Sequence, residues 1–305
     1  MVTLTSTLLA GLVLGALLRH IWRPVPKPVE MDQHRGPGPI NPVTQADPVL
    51  SAQIKSGIAR QEFLHHLQPI RDLRTNRIVG MEALARWHRA DGTILLPEEF
   101  LPQLEGGSHH LPSITDRVPD GVPEVLQKAA PDLFCAINVS TQFLNDNAHD
   151  NQTKLENLLN GLNPSRTVVE IVENAVINDI NKTASFLSKM RARGIRIALD
   201  DFGTGHSNLD RLRDLPIDMI KLDRSFITNS GSRSNTAFLN TVIQLARDLQ
   251  VDLIAEGVET EEHANKLRAL GFIWAQGFHL GAPAPVETWR DLISLTPEKQ
   301  VTAAE

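Results

Sequence analysis

The chain has 305 residues, 41% of them hydrophobic, and a formal net charge of −6 at pH 7, which is enough for one large globular domain plus additional segments. Its 30 basic residues are spread out and outnumbered by 36 acids, so it has no electrostatic footprint for DNA or RNA and neither is an expected partner. The single cysteine, Cys135 in an apolar run, excludes an intramolecular disulfide and a cysteine-based zinc centre.

From Met1 to Leu18 no residue is charged, and with Ile21 and Trp22 the run reaches the ~20 residues that span a bilayer. Residues 1–22 are expected to form one transmembrane helix. Arg19, Arg23 and Lys27 follow the apolar core, whereas a secretory signal carries its positive charge ahead of it. The positive-inside tendency then places everything after Arg19 in the cytoplasm. Gly11 and Gly15 form a GxxxG spacing that would help two such helices approach. Residues 23–47, with Pro24, Pro26, Pro28, Pro37, Pro39 and Pro42, read as a stiff extended linker. The globular domain is expected over 48–296, with a tail at 297–305.

That domain should open with a helix from Leu50 to Phe63. Two antiparallel strands follow, Leu67–Ile70 and Ile78–Arg86, joined by a turn at Arg74–Arg77. Strand-like and helix-like segments then alternate: Phe134–Asn138 and a helical stretch Ser140–Leu162; Thr167–Ile171 and Asn178–Arg193, stopped at Gly194; Arg196–Asp200 and Ser207–Leu215. Met219–Leu222 precedes a helix within Asn235–Leu249. Leu253–Ala255 precedes a helix opened by Thr260, Glu261 and Glu262 and closed near Gly271, and Ile273–Gln276 precedes a last helix around Val286–Ile293. Eight strands in this order point to an α/β fold, a TIM-like (β/α)8 barrel with its first strand reversed.

The strand Ile195–Leu199 runs into Asp200 and Asp201 and then a glycine-rich turn, Phe202-Gly203-Thr204-Gly205. Alternation sends neighbouring strand residues to opposite faces, so both acids can serve one site only where the strand gives way to the loop. Taken alone, an Asp-Asp pair is a solvated turn. Glu82, Asn138, Glu170, Asp200, Asp201, Lys221, Glu256 and Gln276, however, come from the ends of seven different strands, and in a parallel barrel such ends converge on one face. Like charges brought together there require a cation or a proton between them. Oxygen ligands without cysteine or clustered histidine suit Mg2+ or Mn2+. The pairs His65-His66 and His109-His110 point different ways on either a helix or a strand and read as surface or packing residues.

In sequence, the domain resembles the EAL family of cyclic di-GMP phosphodiesterases from about Gln53 to Pro285. The resemblance is carried by Gln68-Pro69-Ile70, Glu82-Ala83-Leu84 with Arg86-Trp87, Asn138-Val139-Ser140, Glu170-Ile171-Val172-Glu173, Asp200-Asp201-Phe202-Gly203, Lys221-Leu222-Asp223, Glu256-Gly257-Val258-Glu259 and Ala275-Gln276-Gly277. It implies hydrolysis of cyclic di-GMP to the linear dinucleotide 5′-pGpG with two Mg2+ or Mn2+ ions. Glu82, Asn138, Glu170 and Asp200 would take one ion, and Asp200 with Asp201 and Glu256 the other. Lys221 would orient or deprotonate the attacking water, with Glu82 and Glu259 counted among the catalytic groups. Gln68, Leu84, Arg86, Asp223 and Gln276 would contact substrate. Glu173 and Glu259 would brace the loop after the Asp-Asp pair.

The resemblance further implies a homodimer, and with the apolar amino terminus it implies anchorage in the bacterial inner membrane. The chain departs from the family at Leu104–Pro112, which is remodelled around Gly106, Gly107 and Pro112, and at His206, where an aromatic residue is usual. A cyclic di-GMP receptor without turnover, or a protein-interaction domain, is the alternative function. Hydrolysis is preferred because no ligand position of the motif set is missing.

Overall fold

The structure, a computed structural model, describes residues 47–105, 122–123, 126, 129–139, 153, 159, 162–172, 180–204, 215–228 and 233–294. The expected membrane helix and nearly all of the linker, Glu173, His206, the helix expected from Ser207, the remodelled segment from Gly106 to Pro112 and the tail at 297–305 lie outside these residues. Among the described residues no helix is long and apolar enough to cross a membrane.

Helix α1 (Pro48–Ala59) starts where Asp47 accepts a hydrogen bond from the Val49 amide and Pro48 presets the first turn. It ends sooner than its apolar pattern suggests. Phe63 belongs to strand β1 (Phe63–Asp72), where it pairs with Trp87 of β2 (Ile78–His88) and stacks on that indole with ring centroids 5.1 Å apart. Cross-strand packing overrides the helical reading at that end. The turn Arg74–Arg77 closes the hairpin, with the Asp72 carboxylate accepting from the Arg74 and Thr75 amides.

A short strand β3 (Ile94–Leu95), helix α2 (Pro97–Glu105), strands β4 (Phe134–Asn138) and β5 (Thr167–Val172), helix α3 (Ile180–Ala192) and strand β6 (Arg196–Phe202) follow. The chain continues through β7 (Met219–Leu222), α4 (Arg224–Thr228), α5 (Arg233–Leu249), β8 (Asp252–Ala255), α6 (Glu261–Leu270), β9 (Trp274–Gln276), β10 (Ala284–Pro285) and α7 (Val286–Ser294). Thr260 caps α6 by accepting from the His263 amide, and Gly271 ends it in the left-handed region at φ 92°. Elements β3, β10 and α4 are too short to show a period in the sequence.

The sheet closes. In the order β1-β9-β8-β7-β6-β5-β4-β2 each strand bonds the next, and β2 returns to β1, making a ring of eight strands. Strand β1 is antiparallel to both its ring neighbours while the others run parallel. The barrel interior is filled by Ile70, Phe134, Ala136, Val168, Ala198, Met219 and Ile254, and a larger apolar cluster lies between the outer face and the helices. A Cβ on Gly80 would come within 2.4 Å of the Phe134 ring. Its absence lets that ring occupy the barrel axis.

Candidate metal centre at the barrel mouth

The two-residue period of the strands places the site. In six of the parallel strands an interior apolar residue is followed two positions later, on the same face, by a polar one: Ala136 by Asn138, Val168 by Glu170, Ala198 by Asp200, Met219 by Lys221, Ile254 by Glu256 and Trp274 by Gln276. In the reversed strand β1 the order inverts, and Gln68 precedes Ile70. The carboxyl ends of the parallel strands thus crown an apolar plug with polar groups.

At the centre stands the Lys221 ammonium. It lies 2.8 Å from Glu256 Oε1, 3.0 Å from Glu170 Oε2, 3.1 Å from Asp200 Oδ1 and 3.3 Å from Glu82 Oε2. The contact with Asp200 is an ion pair without hydrogen-bond alignment, so Asp200 Oδ1 remains, like the buried Glu170 Oε1, without a hydrogen-bonded partner. Asn138 Nδ2 donates to Glu82 Oε1 at 2.8 Å, and Gln276 Nε2 donates to Glu82 Oε2 at 2.7 Å and to Gln68 Oε1 at 2.9 Å. Gln68 in turn donates to the Gly281 carbonyl at 3.1 Å.

Asp201 joins the cluster by a route that alternation alone does not provide. Both aspartates lie inside β6, not beyond its end, but the ladder to β7 shifts register between Leu199 and Phe202, and Asp201 sits at φ 56°. A bulge with one residue in the left-handed region re-aims that side chain. Carboxylate oxygens of Asp200, Asp201 and Glu256 come within 4.8 Å of one another, as do those of Glu82, Glu170 and Asp200. Asp200 belongs to both groups.

The electrostatics follow from one ammonium facing five carboxylates. Burial, then the neighbouring Glu82 carboxylate, pushes Glu170 well above the usual range. Burial, against the pull of Lys221, raises Glu256 to about 8, and burial with the Asp200 charge raises Asp201 to about 6. Burial acts the same way on Glu82, but Lys221 and the amides of Gln276 and Asn138 outweigh it and hold its carboxyl below the ordinary value. Burial would lower Lys221, yet the surrounding carboxylates carry it well above an ordinary lysine. In this arrangement Lys221 is a fixed cation. The four carboxylates around it hold that charge in place.

A divalent ion fits these residues on their own chemistry. The surplus of negative charge, the two carboxylate oxygens without hydrogen-bonded partners and the absence of sulfur from the set suit a hard cation.

Other expected residues fall around this centre. Leu84 is half-buried and Arg86 buried, two and four residues beyond Glu82 on the same strand face, with Arg86 Nη1 donating to the Ala85 carbonyl at 2.7 Å. Asp223 borders Asp201 and adds to the rise of its pKa. Its own Oδ1 accepts from the Ser225 amide at 2.9 Å, beside the start of α4. Glu259 is exposed ahead of α6 and is not among the carboxylates paired with Lys221, the chain having turned at Gly257. His66, read as a surface or packing residue, is half-buried, and its ring meets that of His88, twenty-two positions away, across the hairpin. No local sequence pattern signals that contact.

Comparison with known proteins places this architecture. The family model described as EAL domain matches residues 51–283. An uncharacterized signaling protein of Caulobacter vibrioides is 35% identical over 246 residues, covering 78% of this chain and 29% of that protein. A probable cyclic di-GMP phosphodiesterase of Escherichia coli, PdeB, is 32% identical over 244 residues, covering 77% of this chain and 45% of that protein. The chain thus spans less than half the length of these curated relatives. Among solved structures, the PaMucR phosphodiesterase in complex with c-di-GMP, MucR being a Pseudomonas aeruginosa protein, aligns with a TM-score of 0.70 at 31% identity, covering 78% of this chain and 98% of that one. An EAL domain protein from Listeria monocytogenes aligns with a TM-score of 0.70 at 28% identity, covering 81% and 98%.

Proposed function

The chain belongs to the EAL domain family, and from that premise we propose that it is a membrane-anchored phosphodiesterase that hydrolyses cyclic di-GMP to linear 5′-pGpG using two Mg2+ or Mn2+ ions. The observation that carries the reading is the pair of three-carboxylate groups sharing Asp200, with Lys221 as the one ammonium among them. One relative is named a probable cyclic di-GMP phosphodiesterase, and a structural neighbour is a phosphodiesterase in complex with c-di-GMP.

Glu82, Asn138, Glu170 and Asp200 would hold one ion, and Asp200, Asp201 and Glu256 the other. Bound there, divalent ions would supply an acidified water and would neutralise charge on the reacting phosphate. The chain's own groups supply the rest. Gln276 and Asn138 fix the Glu82 carboxylate from both sides. Arg86, two turns of the pleat beyond Glu82, presents a planar fork to phosphate oxygens. Lys221 holds its positive charge against the phosphate and orients the water's oxygen. Leu84 offers apolar surface to the nucleotide, with Gln68 and Gln276 amide groups beneath it.

Purified chain incubated with cyclic di-GMP and Mg2+ or Mn2+ should yield the linear dinucleotide, and Glu82→Ala should abolish turnover far more severely than nucleotide binding. Binding with no linear product at any metal concentration would establish a receptor instead. Membrane anchorage through residues 1–22, with the barrel on the cytoplasmic face of the bacterial inner membrane, is supported by the uncharged run ahead of Arg19, Arg23 and Lys27. Recovery of the intact chain in the soluble fraction after lysis would overturn it. Homodimerisation, supported by the Gly11 and Gly15 spacing, is tested by light scattering in detergent.

A further inference from the structure

Beyond the barrel mouth the β1–β2 hairpin continues as a wall flanked by the short strands β10 and β3. Its odd-numbered face, including Phe63 and Trp87, packs with Ile54 and Phe100 of the adjoining helices. Its even-numbered face is continuous with the barrel interior and carries Leu64, His66, Leu84, Arg86 and His88. On that face the Nε2 atoms of His66 and His88 lie 3.1 Å apart, with ring centroids 5.2 Å apart and planes at 65°. His66 also hydrogen-bonds the Pro283 backbone. Proline has no amide hydrogen, so the imidazole is the donor; with Nε2 facing His88 we assign that proton to Nδ1, which leaves the Nε2 lone pair for His88.

We propose that His66 and His88 form a binding site for a late first-row divalent transition metal such as Cu2+, Ni2+ or Zn2+, separate from the carboxylate centre. Two nitrogens each about 2.0–2.1 Å from an ion stand about 3.1 Å apart when they subtend roughly 100°, so the observed separation already has the bite of a chelating pair. The backbone carbonyl behind His66 is the outer partner that fixes tautomer and ring direction in ligating histidines. Both rings sit on paired strands, so little ordering is needed on binding.

Burial, with Arg86 beside them, pushes His66 down to about 4 and His88 below its ordinary value, which favours the unprotonated rings that ligate a metal. Coordination then requires only that the His88 proton move from Nε2 to Nδ1, and no net proton is lost. Arg86 is the opposing charge, and His65 lies next to the pair in sequence. The Arg86 guanidinium is directed to the Ala85 carbonyl and attracted by Glu82 and Glu98, and the nitrogen–metal bond of Cu2+ or Ni2+ is strong enough to tolerate it where Mg2+ is not.

The test is Cu2+ added below one equivalent to the full chain with saturating Mg2+, followed by electron paramagnetic resonance, with Ni2+ calorimetry alongside. The expected spectrum shows nitrogen superhyperfine coupling from two imidazoles. The carboxylate centre cannot produce it, because its ligands are oxygens. His66→Ala and His88→Ala should each remove the two-nitrogen pattern and weaken Ni2+ binding at least tenfold, with circular dichroism unchanged, while His65→Ala retains both signals. A spectrum without nitrogen superhyperfine coupling in the native chain, or a nitrogen pattern that survives either substitution, overturns the proposal.

Discussion

Lys221 Nζ and Glu170 Oε2 lie 3.0 Å apart with each side chain only 1% exposed. A buried ammonium is costly in an apolar barrel, and so is a buried carboxylate, but the Glu82, Asp200 and Glu256 carboxylates around the same ammonium leave the site in anionic surplus. Replacing Lys221 by Met should therefore destabilise the metal-free protein by about 3–5 kcal/mol, the usual effect of removing one partner from a buried ion pair. Urea unfolding with chelator and with Mn2+ checks this. The variant should regain more stability from the ion than the native chain does, and its hydrolysis should stay at least ~10²-fold low because the oriented positive charge is gone.

Gln276 touches Glu82 and Gln68 with one amide nitrogen while its Oε1 has no partner. It is thus a positioning residue for Glu82 with a spare acceptor. Gln276→Ala should lower metal affinity or turnover by about 10–100-fold, as loss of an outer hydrogen bond to a ligand does, with little change in thermal midpoint. Metal titration monitored by activity separates the two effects. Gln276→Glu should be worse, since it sets another carboxylate against Glu82.

Stability should depend on pH with a definite sign. Asp201 and Glu256 bind protons more tightly in the fold, at about 6 and about 8, than at their ordinary values of 3.8 and 4.5. Between the ordinary carboxylate range and pH 8 the native state then carries more protons than the unfolded chain, so unfolding free energy falls as pH rises across that window. Glu82, held low, acts oppositely at more acidic pH, and His66, pushed from 6.5 down to about 4, acts oppositely between those values, over a narrower span than Glu256 and Asp201 together. Thermal unfolding in chelator should show a higher midpoint at pH 5.5 than at pH 8. Mg2+ should raise the midpoint more at pH 8, where the carboxylates it neutralises are ionised. A flat profile in chelator would remove the surplus-charge description.

Most of the barrel and its polar crown were legible because both follow from one short period: a strand residue that fills the interior predicts another two positions on, and Ala198 with Asp200 or Met219 with Lys221 shows it plainly. The reversal of β1 was legible from its tight turn to β2. Contacts that depend on register across distant segments were not. The His66–His88 approach spans twenty-two positions, and Phe63 changed from helix to strand because Trp87 offered a stacking partner. Glu259 belongs to the same motif as Glu256, and Gly257, at φ 69° against Arg224, turns the chain between them.

The Asp200-Asp201 bulge supplies the last expectation. A non-glycine residue at φ 56° costs about 1 kcal/mol or more for a side chain branched at Cβ and much less for Asn or Asp, whose short polar groups tolerate that region. Asp201→Asn should therefore fold with a nearly native midpoint while losing the second of the two carboxylate groups, which also needs Asp200 and Glu256. Asp201→Val should lose both the group and about 1–2 kcal/mol of stability. Next to it, Gly203 sits at φ 96° with the Phe226 ring 2.6 Å from where a Cβ would stand, so Gly203→Ala should add strain at the same turn and lower the midpoint further. Calorimetric midpoints of the three variants, read beside Mn2+ titrations, distinguish a backbone that holds two acids on one face from a pair placed there by side-chain rotation alone. In the second case Asp201→Val would unfold no more easily than Asp201→Asn.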